Sequence, residues 1–317
     1  MFPLKIKGNW ERSKRIEVTD IRKLLSEDIS YLPSETIGIY GVIGPYGIAY
    51  QLKKYAGINR DILLNKCSFE HGSCIFDMVC QREVTHHASS IITYSPYREE
   101  VIKRLTDINP IAIGPYVAYA DRYRSGDSIK KVKEKMGRVL LVMPCHSTVK
   151  ESVEYNVEEF ICRIENSRKN FDTVMVCMHF EDMKKGLWKP YKDKGYCIVS
   201  AGNILNPFFL SRTRYIFELA DALIVNSITT GMAFAMYMNK PIKLVQQKIN
   251  YNVYDQSNIN ELKRENVADK VHELFSDSEF VLTKKQKEFG DYIFGVKNVK
   301  TKEEIKALLM ALTRVKG

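Results

Sequence analysis

Long apolar runs are missing from this chain of 317 residues, and no stretch approaches the ~20 apolar residues that a membrane-spanning helix needs. The N-terminal segment, MFPLKIKGNWERSKR, lacks the continuous apolar core of a secretory signal. Both absences lead to the expectation of a cytoplasmic protein that at most rests on a membrane face. Cysteines at Cys-x2-Cys spacing and histidines at His-x3-His spacing are missing too, which removes the common zinc modules. There is no Asp-x-Asp; the nearest candidate, Asp277-Ser278-Glu279, sits in a polar segment, so a metal-bridged diphosphate site is not expected. Gly-x-Gly-x-x-Gly, the Walker A pattern and Gly-x-Ser-x-Gly are all absent. Dinucleotide oxidoreductases, P-loop NTPases and α/β-hydrolases lose ground accordingly, and neither a metal nor a cofactor is expected.

What is present is the composition of a soluble globular enzyme, with 45% hydrophobic and 27% charged residues. At ~150 residues per domain the length favours two domains. Lys plus Arg number 48 against 38 for Asp plus Glu, and the resulting +10 points to anionic partners. No basic-aromatic repeat or known module supports nucleic acid as that partner. The seven cysteines are odd in number, and Cys145, Cys162, Cys177 and Cys197 fall in apolar runs that read as buried thiols. Cys67, Cys74 and Cys80 lie near His71, His86 and His87 at spacings too loose for a zinc module.

Strand-length apolar runs alternate with helical patterns. Residues 36–43 (TIGIYGVI) lead through Gly44-Pro45-Tyr46-Gly47 into IAYQLKKYAG, and 88–94 (ASSIITY) lead into Ser95-Pro96, an N-cap followed by a first-turn proline. A helix, PYREEVIKRLTDI, and a short apolar segment at 110–113 follow. Residues 121–137 are polar and basic and read as an interdomain crossover. The rhythm restarts at 138–143, 173–178, 196–200, 222–225 and 242–245, with helices VEEFICRIENSRK and SRTRYIFELAD between them. The expected fold class is α/β with parallel sheets, in two Rossmann-like domains facing a cleft. The expected boundaries are 1–125, 136–283 and a basic helical tail at 284–317. That tail carries nine Lys/Arg against four Asp/Glu, +5 of the +10. Thr301-x-x-Glu304 is a capping box, and Ile305, Leu308, Leu309 and Leu312 form one apolar face. Such a helix either docks on the body or turns its basic face to anionic lipid.

The segment 222–245, ALIVNSITTGMAFAMYMNKPIKLV, carries the most chemistry. A buried strand runs into Asn226 and Ser227, then Thr229-Thr230-Gly231 opens a helix. Free backbone N–H groups and the positive dipole end at that point make a phosphate site, although an ordinary capped helix has the same pattern. Upstream, Arg212 and Arg214 offer guanidinium donors to a diphosphate, Arg212 more so, and Glu218 could accept from ribose hydroxyls. His146 and Ser147 follow the strand RVLLVM, and Cys177-Met178-His179 and Ser200-Ala201-Gly202-Asn203 end two others. Ligands gather along that edge of open α/β sheets. In the first half, Glu70 and His71 end an apolar stretch before Gly72 and form a candidate general-base site. The pair His86-His87 is weaker, because adjacent side chains diverge.

Two stretches resemble cytoplasmic proteins of bacterial surface-polysaccharide (O-antigen and capsule) clusters. One runs from Glu70-His71-Gly72 through SSIITYSPYREEVIKRL to Ile113-Gly114-Pro115-Tyr116-Val117-x-Tyr119-Ala120. The other spans Pro144-x-His146-Ser147, FLSRTRYIFELADALIVNSITTG and Asn239-Lys240-Pro241. Both look like GT-B glycosyltransferases, and the resemblance covers roughly residues 36–250. It implies a nucleotide-sugar donor held by the second half, and an acceptor site with, in inverting members, a general base in the first. The reading that follows is a metal-independent glycosyltransferase. Glu70 or His71 would be its base. His146, Ser147, Gly202, Arg212, Glu218, Asn226, Ser227, Thr229, Thr230 and Gly231 would hold the donor. A lipid-linked saccharide would be the acceptor, with a peripheral contact to the anionic inner face of the cytoplasmic membrane. The alternatives are a nucleotide-sugar epimerase, a CDP-linked phosphoglycerol transferase of the same architecture, and a non-catalytic GT-B-like assembly protein.

Overall fold

A computed structural model describes residues 44–72, 75–80, 83–84, 88–147, 151–204, 206–253, 266–276 and 279–313. The expected strand at 36–43, Ser73, Cys74, His86-His87 and Asp277 lie outside the described residues. In the first half, β1 (Cys67–Phe69), β2 (Ser90–Thr93) and β3 (Asn109–Ala112) form a parallel sheet in that order. Helix α1 (Ile48–Ala56) follows the 44–47 turn, where Gly44 and Tyr46 both take positive φ. Helix α2 (Pro96–Leu105) begins as its sequence foretells: the Ser95 hydroxyl accepts the Arg98 N–H at 3.2 Å, and Pro96 fills a position whose N–H has no helical acceptor.

The basic stretch at 121–137, read as an interdomain crossover, is largely helical. Helix α3 (Gly126–Met136) occupies most of it, capped by Ser125 and ending at Gly137. Its apolar face is narrow: Ile129, Val132 and Met136 turn toward the core, Lys130, Lys131 and Lys135 are exposed, and Lys133 reaches Asp221 Oδ1 at 2.7 Å.

The second sheet holds β4 (Val139–Met143), β6 (Thr173–Cys177), β7 (Cys197–Val199), β8 (Ala222–Val225) and β9 (Ile242–Leu244). All five are parallel and lie in the order β7-β6-β4-β8-β9. In order of appearance that is 3-2-1-4-5, the doubly wound arrangement, in which the crevice opens where the winding reverses between β4 and β8. Central strand β4 is buried on both sides, which is why it reads as an unbroken apolar run. Val139 and Leu141 join a cluster with Ile48, Leu52, Ile92 and Tyr116 of the first half; Leu140 and Val142 pack with Phe160 and Ile164 of α4 (Val157–Ser167). One hydrophobic cluster therefore runs between the two sheets.

An element without sequence warning is the antiparallel pair β5 (Glu151–Tyr155) and β10 (Ile249–Val253). Short helices α5 (Phe180–Lys185) and α6 (Lys189–Asp193) follow β6, and α7 (Phe209–Leu219) and α8 (Thr230–Tyr237) flank β8. After α9 (Asn266–Phe275), the tail forms α10 (Lys284–Ile293) and α11 (Lys302–Ala311), which pack on α2 and α1 respectively. Both begin with complete capping boxes, the second being the Thr301–Glu304 pair read from the sequence. Ile305 and Leu309 of α11 are fully buried, so its apolar face is spent on docking. Among the described residues no helix is long and apolar enough to cross a membrane. Of the four thiols expected to be buried, Cys145 is buried and Cys177 and Cys197 are half-buried. Cys162 is exposed, because α4 turns Phe160, Ile161 and Ile164 inward and the intervening position out.

Candidate functional site

The strand ends of the second sheet face the first sheet across a cavity of about 110 Å³. From the first half it is lined by Tyr46, Ile48, His71, Tyr94 and Tyr116. From the second come Met143, Pro144 and His146 after β4, Cys177, Met178, His179 and Phe180 after β6, and Ser200, Ala201 and Gly202 after β7. Thr229, Thr230 and Gly231 at the start of α8 complete it, with Phe209, Leu210 and Thr213 of α7. No carboxylate and no lysine lines it among the described residues. A second cleft, of about 240 Å³ beside Arg163 and Lys243, contains none of the expected site residues.

On the first-half wall, Glu70 and His71 part company. Glu70 is buried, and its Oε1 accepts from Arg98 Nε at 2.8 Å and Nη2 at 2.6 Å, while Oε2 accepts from the Thr93 hydroxyl. Burial pushes this carboxyl up and Arg98 pulls it back. Glu70 is thus an internal anchor of β1, β2 and α2, and the expectation that it serves as the base is corrected: its oxygens are engaged away from the cavity. His71, next along the chain, lines the cavity with its ring parallel to that of Tyr46 at 6.4 Å. Its Nδ1 meets Glu83 Oε1, and its backbone N–H donates to the same oxygen at 3.0 Å. Glu83, itself buried, holds the imidazole with Nδ1 protonated and Nε2 as the basic nitrogen. Gly72 abuts the other wall, where a Cβ would lie 3.1 Å from Thr230 Oγ1.

On the second-half wall, His146 and His179 stack with centroids 4.2 Å apart and planes 13° from parallel. Burial, reinforced by His146, holds His179 down to about 3. Thr229 precedes α8 and makes no side-chain capping bond, and the Met232 N–H of the first turn donates to the Thr229 carbonyl at 2.9 Å. A Cβ on Gly231 would come within 2.7 Å of Met143 Sδ, and glycine is what lets this helix start sit against the end of β4.

Arg212 of α7 does not line the cavity but lies immediately behind it. A Cβ on Gly202 would stand 3.5 Å from the guanidinium carbon, and Gly202 takes φ 85. The side chain is buried, with Nε and Nη2 lacking any hydrogen-bond partner. Burial lowers it to about 10, with Tyr123 opposing. An uncompensated buried cation is costly, and two unmade N–H bonds add to the cost.

The other expected donor residues are elsewhere. Ser147 is buried: its N–H donates to Asp182 at 3.1 Å and its hydroxyl accepts from Val153 N–H at 3.3 Å, joining β4, α5 and β5. Asn226 accepts the Cys145 N–H at 2.6 Å and donates to Gln247 Oε1 at 2.8 Å, clamping the ends of β4 and β8. Glu218, at the far end of α7, accepts on Oε1 from Arg122 Nε and Arg214 Nε, both at 3.2 Å, and does not line this cavity; its Oε2 is buried without a hydrogen-bond partner. Ser227 is half-buried beside the cavity without lining it. The residues that do converge are His71, His146, Gly202, Thr229, Thr230 and Gly231, with Arg212 behind.

No protein-family model matches the chain, and no curated protein matches it either. Functional inference therefore rests on the site itself. Sequence reasoning missed Glu83, which sits in an irregular segment with no pattern to mark it. The His146–His179 stack follows from the adjacency of β4 and β6, which only the strand order reveals.

Proposed function

We propose that this chain is a metal-independent glycosyltransferase of GT-B architecture, moving a sugar from a nucleotide-sugar donor to a saccharide acceptor in surface-polysaccharide synthesis. The observation that carries this reading is Arg212, a buried guanidinium with two unpaired nitrogens directly behind Gly202 at the edge of a doubly wound sheet. A diphosphate lying over Gly202 supplies the compensating negative charge. The start of α8 at Thr230 and Gly231 lines the same cavity, and its positive dipole end favours an anion there. His71, oriented by Glu83, takes the proton of the acceptor hydroxyl on Nε2 as its oxygen bonds the anomeric carbon. The anomeric carbon–diphosphate bond breaks in the same displacement, and the charge that develops on the leaving oxygen meets Arg212 and the α8 amides. A lipid-linked acceptor with peripheral contact at an anionic membrane face belongs to the same proposal, given the basic surface.

A thermal-shift panel of UDP, GDP, CDP, CMP, ADP and dTDP, with and without EDTA, tests the donor site. A nucleotide at one hundred times its Kd stabilises by about 2.7 kcal/mol. One nucleotide stabilising regardless of EDTA supports the reading; no response to any of them overturns it. Incubating that donor without acceptor then separates transfer from epimerisation, because only an epimerase turns over alone.

A further inference from the structure

The stacked histidines at the ends of β4 and β6 are held with opposite polarity. His146 Nδ1 lies 3.1 Å from the Ser147 carbonyl oxygen, which can only accept, so Nδ1 carries a proton and in the neutral ring Nε2 presents a lone pair. His179 is the N-cap of α5: its Nδ1 accepts the Glu181 N–H at 3.4 Å, so its proton sits on Nε2. Among the described residues neither Nε2 makes a hydrogen bond, and both rings line the cavity. Two imidazoles 4.2 Å apart and nearly parallel resist charging together, and partial burial with His146 beside it lowers His179 to about 3.

We infer that His146 and His179 act as one donor–acceptor unit that recognises a neutral part of the ligand, a group offering a hydrogen and a lone pair side by side. On a nucleotide-sugar, which is the ligand of the reading above, two such groups exist: the hydrogen-bonding edge of the base and the hydroxyls of the sugar. The phosphates go instead to Arg212 and the α8 start, because a neutral pair gives an anion no charge. Pro144, Met178 and Phe180 beside the pair supply apolar surface suited to an uncharged ring.

Long-range 1H–15N spectra of the full-length protein labelled at histidine test the polarity directly. At pH 7, His146 should appear as the Nδ1–H tautomer and His179 as the Nε2–H tautomer. Two identical tautomers, or an imidazolium at either position, overturn the inference. Calorimetric titration with uridine, cytidine, guanosine, adenosine, thymidine, methyl glucoside and inorganic pyrophosphate tests the recognition. In His179→Phe and His146→Gln, binding of a nucleoside or of the glycoside should weaken at least tenfold, while pyrophosphate binding stays within twofold. Loss confined to nucleosides assigns the base, and loss confined to the glycoside assigns the sugar. Equal loss of pyrophosphate, or no neutral probe binding to the wild type, overturns the inference. Failure of the wild type to bind pyrophosphate counts against the diphosphate site instead, and the tautomer pattern is read independently of it.

Discussion

Replacing Arg212 with methionine should make the empty protein more stable and its ligand response disappear. The guanidinium is buried, two of its nitrogens are unpaired, and burial lowers it from its ordinary value to about 10. At 1.36 kcal/mol per tenfold, that displacement corresponds to about 3 kcal/mol of penalty on the charged form. Methionine has comparable length and no charge to desolvate, and replacing buried ionic groups by apolar side chains of similar volume is often neutral or stabilising by about 1–4 kcal/mol. Chemical denaturation of wild type and Arg212→Met without ligand reads the gain as a higher midpoint at unchanged slope. Pyrophosphate at saturating concentration should then stabilise the wild type and leave the variant unmoved. Gly202→Ala is the companion: it keeps the charge but adds a Cβ in contact with the guanidinium, at a positive φ that costs about 1–2 kcal/mol for an L-residue. It should lose both stability and pyrophosphate response. A destabilised Arg212→Met that still responds to pyrophosphate would show that the cation is structural, and the diphosphate reading would fall with it.

If His71 is the base, His71→Ala should lower the transfer rate by about 10²–10⁴ in single turnover with the donor found by the nucleotide panel. Glu83→Gln should lose much of the same rate, because an amide can impose the wrong tautomer; more than a tenth of the wild-type rate in His71→Ala would exclude this base. Arg98→Ala should cost about 3–5 kcal/mol in denaturation, since it strands the buried Glu70 carboxylate, and a loss below about 1 kcal/mol would contradict the anchoring role. Burial lowers Lys53, whose ammonium reaches the carbonyls of Arg60 and Ile62, from 10.5 to about 8, against the opposing pull of Asp61 and Cys67. Between those values the unfolded chain holds a proton that the folded one has released, so stability should rise with pH from about 8 to 10.5. The rise should be smaller in Lys53→Met, and parallel profiles would refute the assignment.

The five strands of the second sheet are legible in the sequence because the central ones are buried on both faces and stand out as unbroken apolar runs. Strands β5 and β10 are not: ESVEY and INYNV have no such run, and their pairing joins positions almost a hundred residues apart. Helix α3 hides for a related reason, since three apolar side chains over eleven residues are its whole inward face. Glu70 and His71 are one legible feature with two fates. Neighbours along an extended segment point to opposite sides, so only one could face the cavity, but which one depends on the masking of Glu70 by Arg98. Arg212 and Glu218 show the helical version. Six residues are about 1.7 turns, which carries Glu218 about 9 Å along α7 and toward another side.

Net charge and site charge are separate matters in this protein. The +10 prompts the idea of an anionic partner, yet half of it belongs to residues 284–317. There Lys284 and Lys297 lie exposed, and among the described residues no lysine of the tail lines the cavity. Exposed charges are screened within about 8–10 Å at physiological salt. A guanidinium beneath Gly202 is shielded from that screening, and its attraction for an anion grows as the surrounding dielectric falls. One buried arginine can therefore outweigh a field of surface lysines for a small ligand, while the lysines act on anything large and flat. Donor affinity should on this basis depend weakly on ionic strength, and any association with anionic vesicles steeply. Measuring both between 50 and about 300 mM salt separates the two, and an equally steep fall in each would mean that the surface, not Arg212, attracts the nucleotide.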